Sequence, residues 1–281
     1  MKPIKWGILG TGAIAKAFAD ALQETEGELV AVASQSLQRA EDFSKSYNCT
    51  AIEGYQSLIS LPEVEAIYVA TPHTSHFELS AECLRNKKAV LCEKPMTINA
   101  TETMALIDIS RKNNTLLMEA FMYKIHPQTQ QVMKVIQENL TSPLSIRAEF
   151  CFSVDVPESH RLVNKELGGG SILDIGCYPM SISRHAVGAV HGKNFMNPVS
   201  IEGLVHAPRV GRATYGHPAQ GRQHSQFRRA NQSDPRRDEN LRSQIVACAA
   251  HSWRRQEVAR EEQRQVLISI EFKRPSRQLL T

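Results

Sequence analysis

The chain has 281 residues, 42% of them apolar, and a formal net charge of +4. This length predicts about two domains with ample core, and no apolar run reaches the ~18 residues that a membrane-spanning helix needs. The charge is split: residues 207–281 carry 14 Arg, 1 Lys and 7 acids, while the preceding 206 residues are net negative, so the total says little about partners.

The chain opens directly in a strand, so no signal peptide is expected and the expected location is cytoplasmic. Six scattered cysteines without a C-x-x-C pair read as reduced thiols, with neither a zinc site nor a disulfide framework. Ile4–Leu9 is a buried strand, and Ile14, Phe18, Ala21 and Leu22 recur at helical spacing. Between them lies Gly10-Thr11-Gly12-Ala13-Ile14-Ala15, a G-x-G-x-x-A fingerprint. The first glycine permits a sharp turn and the second lets backbone approach a pyrophosphate. Ala15 keeps the helix close to the sheet, and the free N–H groups at the helix start face the phosphates. The plainer alternative is a glycine turn in some other α/β protein; the strand-turn-helix context favours the dinucleotide site.

Glu28–Ala33 is the next strand. An acid at its end would bind the ribose 2′-hydroxyl of NAD; this chain has Ser34-Gln35-Ser36 and then Arg39, which suits the 2′-phosphate of NADP. A solvated Arg39 is the alternative, and NAD stays open. Leu37–Tyr47 reads as a helix and Thr50–Ile52 as a strand. Glu65–Ala70 is another strand, ending in Thr71-Pro72-His73-Thr74-Ser75-His76. Ligands sit at the carboxyl ends of strands in open α/β sheets, so Thr71, Pro72, His73 and His76 are placed against the cofactor. His76 merely opening the helix Phe77–Asn86 is the alternative, and no metal is expected. Lys88–Cys92 is a strand with Glu93-Lys94-Pro95 at its carboxyl end, followed by a helix over Thr101–Lys112 and a strand over Thr115–Glu119. Strands alternating with helices predict a doubly wound parallel sheet.

The second domain is expected from residue 121. Pro127–Asn139 reads as a helix. Leu144–Val156 alternates apolar and polar residues, which predicts a long strand with one covered face in an open mixed sheet. Ser171–Gly188 reads as a helix with Pro179 inside it, which removes a hydrogen bond and bends the helix. Val199, Ile201 and Val205 suggest one more strand.

Hydride transfer needs an acid/base at the reacting oxygen. Lys94 stands on the cofactor edge. Tyr178 has the right chemistry if a lysine ammonium favours its phenolate. Asp174, four residues before Tyr178, shares its helix face and is suited to a substrate hydroxyl or to orienting the lysine. A surface lysine and a core tyrosine are the alternatives.

The ordered set GILGTGAIA, ATPHTSH, CEKP, MEAFMYKIHP and LGGGSILDIGCYP resembles the Gfo/Idh/MocA oxidoreductases. It is most similar to the branch with glucose–fructose oxidoreductase, dimeric dihydrodiol dehydrogenase and NADP-dependent D-xylose dehydrogenase. The resemblance covers about residues 1–206. It implies a Rossmann domain over 1–120 and a partial substrate and dimerisation domain over 121–206, with NAD(P)-dependent oxidation of a sugar or vicinal diol. It implies that Lys94 holds the reacting oxygen and that Tyr178 is the general acid/base, where inositol-dehydrogenase-like members carry histidine. Lys124 stands where relatives usually have arginine, keeping the charge but not the bidentate donor.

After His206 the resemblance stops. Three readings compete for 207–281: a disordered basic extension, a nucleic-acid-binding tail, and a change of reading frame near residue 207. Few aromatics make nucleic acid the weakest of these. Only Ile245–Ala250 and Val266–Phe272 are apolar enough to form elements. Without the family's further strands, the second sheet is incomplete at its C-terminus and the homodimer is in doubt. The rival to an enzyme is a catalytically silent NAD(P)-binding protein.

Overall fold

The computed structural model describes residues 2–140, 146–150, 156–204 and 220–222. It divides into two compact units, the first ending at His126 and the second starting at Pro127.

The first unit alternates strand and helix. β1 (Lys5–Leu9) leads to α1 (Ala13–Leu22), β2 (Glu28–Ser34) to α2 (Leu37–Ser44), and β3 (Thr50–Glu53) to α3 (Tyr55–Ile59). β4 (Ala66–Val69) leads through a 3-10 turn at His73–Ser75 to α4 (His76–Arg85), and β5 (Ala89–Glu93) to α5 (Ala100–Asn113) and β6 (Leu117–Ala120). All neighbours pair in parallel, in the order β3-β2-β1-β4-β5-β6. The order reverses at β1, so the crevice beyond the carboxyl ends of β1 and β4 is the place for a ligand.

Successive side chains point to opposite faces of a sheet, and here both faces are covered. Trp6, Ile8, Val32, Tyr68 and Leu91 pack with Phe18 of α1 and Phe43 of α2 on one side. Leu9, Ala31, Ile67, Val69 and Cys92 pack with Leu58 of α3, Leu84 of α4 and Leu106 of α5 on the other. This is why the strands read as unbroken apolar runs. α3 was not expected from the sequence; its five residues are too few for a helical period to register.

The second unit contains α6 (Pro127–Asn139), a 3-10 turn at Lys165–Leu167, a π turn at Ile172–Gly176 and α7 (Cys177–Val190). The helix expected over 171–188 is present as one continuous run, with residues 172–176 in π form. Pro179 has no N–H for the carbonyl four residues back, and its ring crowds that carbonyl; the wider π turn immediately before α7 accommodates both. β7 (Glu202–Leu204) pairs antiparallel with β8 (Gln220–Arg222). β8 lies in the tail that composition had marked as patternless.

The long strand expected over Leu144–Val156 is corrected where it can be seen: residues 146–150 form no strand. A strand needs a partner for its backbone N–H and C=O groups, and among the described residues none pairs with this segment. The apolar stretches Ile245–Ala250 and Val266–Phe272 lie outside the described residues. No helix among the described residues is long and apolar enough to cross a membrane.

Candidate active site

The carboxyl edge of the six-stranded sheet is built from four turns. The first follows β1. Gly10 has φ +104°, a conformation that L side chains rarely adopt, and a Cβ there would meet the Ala70 carbonyl oxygen at 2.8 Å. Its N–H donates to the Ala33 oxygen at 2.9 Å, which seats the turn over β2. Gly12 is the N-cap of α1, and a Cβ there would meet nothing within 4 Å. No side chain caps α1 and no acid stands in its first turn. Uncapped N–H groups beside open space at Thr11, Gly12, Ala13 and Ile14 fit a pyrophosphate.

The second turn follows β2. Ser34 is buried, and its Oγ accepts a hydrogen bond from the Ser36 N–H at 3.4 Å. Arg39 is exposed on α2. The Tyr55 hydroxyl of α3 is pushed above the usual tyrosine range by burial and pulled back by the Arg39 charge. Tyr55 starts α3, and no motif in the sequence marked it.

The third turn, after β4, carries Thr71, Pro72 and His73. Thr71 and His73 are buried, and Thr71 Oγ1 accepts from the Ser75 hydroxyl at 2.8 Å. His76 is placed differently from the expectation that it faces the cofactor. It is 1% exposed, and both ring nitrogens meet backbone carbonyls, Nδ1 to Pro95 at 2.9 Å and Nε2 to Thr71 at 2.8 Å. A ring engaged on both sides has no nitrogen left for a dinucleotide.

The fourth turn, after β5, carries Glu93 and Lys94. Glu93 is buried and accepts from the Tyr68 hydroxyl and, through Oε2, from the Lys94 N–H at 3.1 Å. Burial pushes its carboxyl above the usual range, against the Tyr68 hydrogen bond and the Lys94 charge. The peptide Lys94–Pro95 is cis. Glu119, near the end of β6, accepts the Met96 N–H at 2.9 Å. Tyr68 and Glu119 were not singled out from sequence, because a residue that supports a turn from another strand leaves no local pattern.

In the second unit Asp174 lies in the π turn, with Oδ1 3.9 Å from Arg161 Nη1. Tyr178 starts α7 and meets the Phe150 ring edge-on at 5.1 Å between centroids. The structure thus brings the fingerprint turn, Ser34, the Thr71 turn and Lys94 to one sheet edge, and sets Asp174 and Tyr178 on successive turns of the other unit. The four described cysteines form no disulfide among the described residues.

Residues 4–121 match the model of an oxidoreductase family with an NAD-binding Rossmann fold. The chain is 37% identical over 179 residues to a trans-1,2-dihydrobenzene-1,2-diol dehydrogenase of Xenopus tropicalis, covering 62% of this chain and 54% of that one. It is 33% identical to the NADP-dependent D-xylose 1-dehydrogenase 2 of Haloferax volcanii, covering 65% and 57%. Among solved structures, KijD10, a 3-ketoreductase from Actinomadura kijaniata in complex with NADP and TDP-benzene, superposes with a TM-score of 0.62 at 33% identity, covering 66% and 57%. The chain spans little more than half the length of these relatives.

Proposed function

From a chain whose residues 4–121 belong to the Gfo/Idh/MocA oxidoreductases, with their NAD-binding Rossmann fold, we propose an NADP-dependent dehydrogenase of a sugar or vicinal diol. The observation that carries this reading is the shared sheet edge. The open, uncapped helix start at Gly12 and the Lys94 segment stand at the carboxyl ends of strands of one sheet. NADP would be held by the α1 N-terminus through its pyrophosphate, and by Ser34 and Arg39 through its 2′-phosphate. When bound, it supplies the acceptor for the hydride that leaves the carbinol carbon.

The chain's own residues manage the oxygen. Lys94 holds the substrate hydroxyl and favours its ionisation. Tyr178, as phenolate, takes the hydroxyl proton while the C–H electron pair leaves as hydride and the carbonyl forms; reduction runs the same steps backwards. Asp174 binds a neighbouring hydroxyl. Two features of relatives support these roles: KijD10 was solved with NADP, and its solved variants replace a lysine and a tyrosine separated by the same number of residues as Lys94 and Tyr178.

Absorbance at the reduced-nicotinamide band tests the proposal, using NADP with D-xylose, D-glucose and a cyclic trans-diol. Turnover with one of them is expected, and Tyr178→Phe should cut kcat by about 100-fold or more while NADP binding is kept. Unchanged turnover in that variant would remove Tyr178 from the mechanism. A second reading, a silent NADP-binding protein, is favoured by the absence of a strand at 146–150; it predicts tight NADP binding with no turnover on any alcohol. A homodimer is proposed from the resemblance alone.

A further inference from the structure

His76 is a buried titratable side chain that the proposed reaction does not use. Its two ring nitrogens each meet a carbonyl oxygen, and these oxygens belong to different turns of the same edge. Beyond Glu93 the chain leaves the sheet, so Lys94, Pro95 and Met96 have no ladder partners. Side chains supply the bonds instead. The Lys94 N–H goes to the adjacent Glu93 carboxylate, the Met96 N–H to Glu119, and the Pro95 carbonyl to His76. Glu93 holds the segment locally and Glu119 holds it to β6. The other ring nitrogen, Nε2, lies 2.8 Å from the Thr71 carbonyl oxygen, so the ring is enclosed by carbonyls on both sides.

We infer that His76 is a positioning residue for Lys94: its Nδ1–H holds the Pro95 carbonyl and fixes the Lys94–Pro95 segment to the start of α4. The inference rests on the reading of Lys94 as the residue that holds the reacting oxygen. A lysine amine on a long, rotatable stem is only as well placed as the backbone that carries it, and reactive groups need placement within a fraction of an ångström. Carbonyl oxygens only accept, so each contact is a hydrogen bond only when the facing nitrogen carries a hydrogen.

Two near-isosteric substitutions separate the contacts. The amide nitrogen of His76→Asn falls where Nδ1 does and keeps the bond to Pro95. That of His76→Gln falls where Nε2 does, facing Thr71, and loses the bond to Pro95. Hydrogen exchange at the Lys94 and Met96 amides of the full chain is read together with NADP binding and kcat. His76→Gln should exchange about tenfold faster at these amides and lose about ten- to 100-fold in kcat, with NADP affinity and melting temperature nearly unchanged. His76→Asn should behave like the parent. Equal exchange in the two variants, or a loss in Asn but not in Gln, overturns the inference. If the parent turns over no alcohol but exchange follows the expected order, the positioning role stands and the dehydrogenase reading fails. If neither variant folds, the ¹⁵N spectrum of the parent's His76 ring decides, because an Nδ1 without hydrogen cannot hold Pro95.

Discussion

At the scale of single residues, charge and burial set the behaviour of the edge. Arg39 is the cation expected to meet a 2′-phosphate, and its removal should act on one cofactor only. Arg39→Ala is predicted to weaken NADP by about tenfold and leave NAD unchanged, measured by fluorescence titration of the two reduced forms. Glu93 carries a pH signature. Its folded pKa is raised by burial, so the folded state holds the proton more tightly than the unfolded chain does. Burying the ionised form therefore costs stability. That cost is absent below the ordinary glutamate pKa and develops as pH rises towards the folded value. Glu93→Gln removes the titration while keeping an oxygen for the Tyr68 hydroxyl. Its melting temperature relative to the parent should rise as pH increases above the ordinary glutamate pKa; a difference flat with pH would show that Glu93 is not strained by burial. Lys94, Tyr178 and the glycines were legible as candidates because each sits in a local motif. His76 stayed open between facing the cofactor and opening α4, because nothing in a sequence says which carbonyls will surround a ring.

At the scale of elements, the first unit was legible nearly to the residue, because strands buried on both faces and amphipathic helices write different periods. The turns were less legible, and the two fingerprint glycines show why their roles must be separated. Gly10 is demanded by the fold: its φ is positive and a Cβ would press on the Ala70 carbonyl. Gly12 is not: its φ of −74° suits any residue and the space around it is open. Gly10→Ala should destabilise the protein by about 2 kcal/mol or more, a fall of several degrees in melting temperature. Gly12→Ala should melt with the parent, yet bind NADP at least tenfold more weakly, because the methyl group occupies the space the pyrophosphate would fill. Equal losses of stability would mean that both glycines serve the turn alone. The alternation over Leu144–Val156 misled for a related reason. Period two marks a strand that has a partner, and at 146–150 no described segment provides one.

At the scale of the whole molecule, the two units differ in what they need. Among the described residues, every member of both apolar layers that sandwich the sheet lies between Ile4 and Ala120. The fingerprint turn, Ser34, Arg39, the Thr71 turn and Lys94 fall within the same span. A unit with its own core and its own cradle should fold without the rest. Residues 1–126 expressed alone are therefore predicted to unfold in one cooperative transition and to bind NADP within about threefold of the full chain, a difference below 1 kcal/mol. NADP at 100 times its Kd should stabilise both by about 2.7 kcal/mol, which calorimetry reads as matched upward shifts in melting temperature. The fragment should not reduce NADP with any of the alcohols, since Tyr178 and Asp174 are outside it. A fragment that folds but fails to bind would mean that the second unit completes the cradle, and a fragment that does not fold would mean that the sheet's stability comes from residues beyond His126.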